Sequence, residues 1–195
     1  MQQTPERQRL LSLVADVILE AGMLDLSLSG IARRIGSNNR MLLYYFDSKE
    51  RLLDEAAVLA ADRFPLLHHV LDRLASPGDL EGRLRQAWRD ISAAENLPFL
   101  RMFFQRFGTA LRDEAGSAEF LRGVGVDWLR RVGEILGSEG YPPATAETAA
   151  AQLVATWRGL QFSLLSGVDR TLLDRAYDDQ VGVLLASMDD TAARG

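Results

Sequence analysis

No cysteine occurs among the 195 residues of this chain, which removes disulfides, thiol redox sensing and cysteine-ligated metal from consideration. Histidine is nearly as scarce. The only two, His68 and His69, are adjacent, and neighbouring side chains on a helix point about 100° apart, so the pair cannot chelate one metal. No window approaches the roughly 18 uninterrupted apolar residues of a membrane span, and the opening MQQTPERQR has no hydrophobic signal core; both point to a cytoplasmic chain that meets no membrane. Glycine-rich phosphate cradles, a nucleophile elbow and telling carboxylate pairs are also missing, so no enzyme is expected. Alternating strand patterns are absent too, leaving an all-α chain.

What is present is enough to build a core: 47% of residues are hydrophobic and 25% charged, ample for one small helical module and one larger one. The net charge of −5 is unevenly spread. Residues 1–51 hold seven basic groups against six acidic ones and carry +1, so the rest carries −6. Charge attraction acts over about 8–10 Å at moderate salt, which makes the local surface matter more than the total.

The stretch from Ser27 to Lys49 reads as two short helices around a tight turn, the layout of a helix-turn-helix. Ser27 is a good N-cap, and Leu28, Ile31, Ala32 and Ile35 repeat at the i, i+3, i+4, i+7 spacing of one helix face. Arg33 and Arg34 fall on the other side and read as a solvated face. Gly36 follows, where a chain leaving a helix needs positive φ. The second helix is expected from Ser37 or Asn38, with Leu42 and Phe46 inward and Asn39, Arg40, Met41, Leu43 and Tyr45 directed elsewhere. Asparagine and arginine at its start have the donor and acceptor geometry to address adenine and guanine in the major groove. For Tyr44 packing against the first or fourth helix is one of two readings, the other being an outward aromatic one place beyond Leu43.

This segment resembles the DNA-binding domain of the TetR/AcrR family of bacterial transcriptional regulators. An amphipathic run (Leu10, Val14, Val17, Ile18, Ala21, then Gly22) is similar to the family's first helix, and IARRIG, LLYYF and DSKERLL to its second, third and fourth. The resemblance implies base contacts from Asn39, Arg40 and Met41 with Asn38 close by, and phosphate contacts from Ser27, Tyr45 and Lys49. Leu43 departs from the aromatic residue usual at its position, and Ser37 from the usual hydrophobic one. Asp47 and Glu50 have capping-box spacing at the start of the fourth helix, where free backbone N–H groups reinforce a phosphate contact.

The implied organisation is an N-terminal three-helix helix-turn-helix DNA-binding domain over residues 1–50, linked by the helix starting at 48, and a C-terminal helical ligand-binding and dimerisation domain over 51–195. Its partners would be a palindromic double-stranded DNA operator, a second copy in a homodimer, and a small-molecule effector of unknown identity, with no cofactor and no metal. The rival reading is a helical dimer that binds DNA or protein without an effector. Breaks are expected at Pro77-Gly78, Asn96–Pro98, Gly116, Gly140–Pro143 and Gly167–Asp169, with a kink or restart at Pro65 and five or six helices beyond the fourth. Trp88, Met102, Phe103, Phe107, Trp128, Arg158 and Gln161 are the candidates for an apolar effector cavity with a few placed polar groups; an aromatic stripe at helical spacing equally fits plain core. Arg158 has Glu134 and Glu147 as alternative partners. The helix near Phe120–Leu136 tolerates Gly123, Gly125, Gly133 and Gly137, each costing up to ~1 kcal/mol against alanine, which close helix approach at a dimer interface would explain. Two stripes on the helix from Ala144 to Leu165, one with Trp157 and one with Arg158, suggest burial on two faces.

Overall fold

The computed structural model describes residues 4–23 and 26–193. Among these every regular element is helical: α1 (Pro5–Ala21), α2 (Leu28–Arg34), α3 (Asn39–Phe46), α4 (Lys49–Ala61), α5 (Pro65–His68), α6 (Val70–Leu74), α7 (Leu80–Ile91), α8 (Leu97–Ala110), α9 (Ala118–Arg122), α10 (Trp128–Ser138), α11 (Pro143–Leu165) and α12 (Arg170–Ala192). A 3-10 turn (Ala94–Asn96) precedes α8 and a π-helical turn (Gly123–Asp127) joins α9 to α10. The expected breaks are all present, with one shift: α8 begins at Leu97, so Pro98 lies in its first turn, where a missing N–H costs no helical bond. Helices are more numerous than expected because the chain restarts at Pro65 into two short pieces and because the π turn divides the glycine-containing helix.

The packing separates the chain into two compact units, and the division is not at 50/51. Residues 1–65 group with 97–109, and residues 66–96 with 110–195. The whole of α4 and nearly all of α8 therefore belong with the first three helices. In this N-terminal unit Leu10, Val14 and Ile18 of α1, Ile31 and Ala32 of α2, Leu42 and Phe46 of α3, and Leu52 and Ala56 of α4 form one core, and Met102 of α8 is part of it. Gln105 of α8 also accepts the backbone N–H of Met23 at 2.7 Å.

The second unit is built around α7, α10, α11 and α12. On α12 the buried residues Leu173, Tyr177, Val181, Leu184 and Met188 keep helical spacing, and on α11 Ala146, Ala150, Leu153, Trp157 and Gln161 do the same. Trp88, Trp157 and Tyr177 form its aromatic centre. The Trp157 indole donates to the Tyr177 hydroxyl at 3.0 Å, which donates to the Leu84 carbonyl at 2.9 Å, while the Trp88 indole donates to Asp174 at 2.7 Å. Each buried polar tip of this aromatic group is thus satisfied.

Gly133 sits at a close helix approach within the chain. A Cβ placed there would meet the Ala150 Cβ at 3.7 Å, so α10 approaches α11 of its own chain at this position, while Gly123, Gly125 and Gly137 have nothing of their own chain within 4 Å of such a Cβ. Because 3.7 Å is ordinary contact, Gly133→Ala is expected to raise stability by up to ~1 kcal/mol through helix propensity. Gly133→Leu should instead cost ~1–3 kcal/mol by overpacking. Urea unfolding of the two variants checks the opposite signs.

Candidate nucleic-acid interface

The segment between α1 and α4 assembles from local signals. Ser27 caps α2, its Oγ accepting the Gly30 N–H at 3.0 Å. α2 buries Ile31 and Ala32 and leaves Arg33 and Arg34 exposed. It ends in a left-handed turn at Gly36 (φ 66°), where the Ser37 N–H returns to the Ala32 carbonyl at 2.8 Å. This double-wrapped ending, in which the Gly36 N–H also reaches the Arg33 carbonyl at 3.5 Å, satisfies carbonyls a helix terminus leaves open and favours a residue without Cβ at its centre. Asn38 then caps α3, its Oδ1 accepting the Met41 N–H at 3.0 Å. Asn38 therefore uses one lone pair of its Oδ1 on its own helix, and its amide N–H groups and the second lone pair remain for a partner.

α3 buries Leu42 and Phe46 completely and presents Asn39, Arg40, Leu43 and Tyr44 to solvent, with Met41 and Tyr45 half-buried. Asn39 and Leu43 stand one turn apart, as do Arg40 and Tyr44, so the exposed residues form a continuous face. Tyr44 is 73% exposed and meets only the edge of Tyr45, at a ring-centroid distance of 5.0 Å. Of its two readings, the outward one fits this exposure. At the start of α4 the cap is Ser48, whose Oγ accepts the Arg51 N–H at 3.1 Å. The expected Asp47–Glu50 capping box is absent because Asp47 is drawn into the turn itself (φ 63°) and pairs with Arg51. Lys49 is the first residue of α4, beside backbone N–H groups that no helical carbonyl can reach.

Charge pairing singles out the same surface. In the N-terminal unit Arg7 pairs with Glu55, Arg9 with Glu6, Arg51 with Asp47 and Glu55, Arg63 with Asp16 and Arg106 with Asp54. Arg33, Arg34, Arg40 and Lys49 have no carboxylate partner among the described residues, and Arg101 on α8 is the further cation of this kind in that unit. Four of the five lie on or next to the two helices of the turn motif. An unpartnered guanidinium keeps its donors for a phosphate or a guanine edge.

The seven residues expected to line an effector cavity do not come together within either unit. Met102 and Phe103 are buried in the N-terminal unit and Phe107 is exposed there. In the other unit Trp88 is a core residue with a satisfied indole, whereas Trp128, Arg158 and Gln161 are neighbours. The Arg158 guanidinium lies 5.9 Å from the Trp128 ring centre and donates to the Gln161 side-chain oxygen at 3.3 Å, and burial pushes its pKa down to about 10. Glu134, one expected partner, is paired with Arg130. A groove of about 260 Å³ between α11 and α12 is lined by Ala144, Thr145, Thr148, Ala149, Gln152, Ser187, Met188 and Thr191, none of them among the seven. No cluster of metal-binding side chains and no helix long and apolar enough to cross a membrane occurs among the described residues. His69 is exposed and hydrogen-bonds Asp72 at 3.1 Å; the His68 side chain lies outside the described residues.

Residues 10–56 match the family model described as bacterial regulatory proteins, tetR family. Comparison with curated proteins finds no match. Among solved structures the chain is similar to a transcriptional regulator from Rhodococcus sp. Rha1, with 24% identity and a TM-score of 0.71 over 94% of this chain and 97% of that one. It is also similar to a multidrug binding protein, EbrR, complexed with imidazole (22% identity, TM-score 0.65, 93% and 96% covered). A third similar structure is a TetR variant from Acinetobacter baumannii AYE in complex with minocycline (17% identity, TM-score 0.57, 98% and 99% covered).

Proposed function

We propose that this chain, a TetR-family DNA-binding transcriptional regulator and not an enzyme, is a ligand-responsive repressor that binds a palindromic operator as a homodimer. The observation that carries the reading is the solvent face of α3, where Asn39 and Arg40 stand free at the start of a capped helix and unpartnered cations surround it. Asn39, Arg40 and Met41 read bases, while Tyr45, Lys49 and the Ser27 end of α2 hold phosphates. Asn38 contributes through its remaining amide donors. Two such helices related by a two-fold axis enter successive major grooves about 34–36 Å apart.

The second copy is taken up by the solvent side of α11 and α12, where Phe162, Leu172 and Val183 are 63%, 50% and 65% exposed, and large apolar residues in that number favour a partner surface. Small-molecule response is supported by the bound imidazole and minocycline in two similar structures. An effector acts only through its differential affinity for the DNA-competent and DNA-incompetent states. Trp128, Arg158 and Gln161 remain the candidates to meet it in this chain.

Selection of binding sites from random duplex DNA at near-physiological salt tests the reading. Enrichment of a palindrome with half-sites one helical turn apart is the expected outcome; no enrichment would remove it. On the selected duplex Arg40→Ala is expected to cost ~1–3 kcal/mol and to relax preference at one base pair, and a uniform loss over all sequences would make Arg40 a phosphate contact. Lys49→Ala should weaken all sequences alike and lower the salt slope by about one phosphate.

A further inference from the structure

We propose that Arg7 and Glu55 form a clamp that sets the tilt of α3, so that both govern DNA affinity without touching DNA; this rests on the reading of α3 as the DNA-reading helix. α3 has eight residues, too few to hold its own conformation in water. Its N-terminal end is capped by its own Asn38, and its inner side is fixed by Leu42 and Phe46. Two apolar anchors one turn apart leave rotation about the helix axis restrained only by packing.

The C-terminal end is held from outside. Arg7, on α1 and only 8% exposed, donates its Nε to the Tyr45 carbonyl at 3.3 Å, one of the carbonyls that a helix end leaves without a partner. Its guanidinium carbon lies 4.7 Å from the centre of the Phe46 ring, and its Nη2 pairs with Glu55 of α4. A cation at this end also suits the helix dipole. Glu55 accepts in addition from Arg51 Nε at 3.1 Å, and Arg51 Nη1 reaches Asp47 at 2.5 Å. Asp47 is the residue that follows α3, with φ 63° and ψ −46°. The Ser48 N–H returns across it to the Phe46 carbonyl at 2.7 Å, a three-residue turn that is rare and strained. A strained turn persists when its surroundings over-determine it, and the chain Asp47–Arg51–Glu55–Arg7 supplies that restraint from α1 and α4 together.

Burial keeps Arg7 from acting as a phosphate contact, and Glu55 is an acid that on charge alone would repel DNA. That opposition makes the test sharp. In the full-length protein, Arg7→Met and Glu55→Gln are each expected to lower amide-exchange protection over residues 42–46 about tenfold or more, while α2 amides stay as in the wild type. Binding to the selected duplex should weaken about tenfold in both variants, with the salt slope unchanged because no phosphate contact is lost. Tighter binding by Glu55→Gln, a slope reduced by about one phosphate in Arg7→Met, or unaltered exchange in both would overturn the clamp. Should Arg7→Met not fold, Glu55→Gln carries the test, since it keeps the shape of the site and leaves Arg7 its Tyr45 carbonyl. A wild-type protein that bound no duplex would remove the functional reading, and the exchange data would still decide the clamp.

Discussion

Phe46→Ala is expected to destabilise the N-terminal unit by ~3–5 kcal/mol and to remove DNA binding with it. Phe46 closes α3 and is fully buried among side chains of α1, α2 and α4. Deleting it opens a cavity in the core to which all four helices contribute. Domains are stable by only about 5–15 kcal/mol in total, so the loss takes a large share of what holds this unit. α3 has Leu42 as its other fully buried residue, and a single anchor cannot keep so short a helix against the core. Arg7 also loses the ring beneath its guanidinium. Denaturant unfolding followed by circular dichroism gives the stability, and a binding titration at a temperature where the variant is folded gives the second effect. Phe46→Leu, which keeps most of the volume, should cost less than ~1.5 kcal/mol; equal losses for the two would show that the cavity is not the cause.

Trp157→Ala is expected to cost the C-terminal unit a similar ~3–5 kcal/mol, with a chemical signature that Phe46 lacks. Trp157 is almost completely buried and its indole is the donor to Tyr177, which in turn bonds the Leu84 carbonyl. Alanine leaves a cavity and takes away one partner of a buried hydroxyl, whereas Trp157→Phe removes the hydrogen bond and part of the volume. Burial raises the Tyr177 pKa, the Trp157 indole opposes that rise and the Asp178 charge adds to it. A group whose folded pKa lies above its unfolded value near 10 contributes fully below that pH, where both states are protonated. Above it the unfolded chain releases the proton and the folded chain resists, so stability falls as pH rises beyond about 10. Tyr177→Phe should therefore be less stable than wild type at neutral pH and show a shallower alkaline decline. Parallel curves from pH 8 upward, a range set by that ordinary value, would show that Tyr177 does not govern the decline.

The turn motif was legible because its signals are local. Ser27, Asn38 and Gly36 each act within three or four residues, and the spacing of Ile31, Ala32, Leu42 and Phe46 follows helical geometry alone. Even so, the capping residue of α4 is Ser48 where Asp47–Glu50 spacing suggested otherwise, because Asp47 lies in the turn at φ 63° and its carboxylate pairs with Arg51. Arg7 carried a faint signal. It stands three residues before Leu10 on the stripe that buries Val14 and Ile18, which is an unusual place for an arginine unless it is paired. The membership of α8 in the N-terminal unit had no comparable signal, because Met102 looks like any apolar residue until the chain brings it to α1 and α4. For the same reason the aromatic residues could not be sorted in advance into core and cavity. Trp88 and Trp157 differ from Trp128 in what surrounds them, not in their sequence neighbourhood.

The place of α8 has a consequence for biosynthesis. Gln105 meets Met23 across 82 residues of chain, and ribosomes add about 5–20 residues per second. Helices α1 to α4 are therefore made several seconds before the helix that completes their core. During that interval the surface later covered by Met102 faces solvent or a chaperone, and closing so long a loop adds an entropic delay of its own. A transcript broken off after α4 would yield a fragment with the whole turn motif and an unfinished interior, so the core beneath that motif is completed only once α8 has been made.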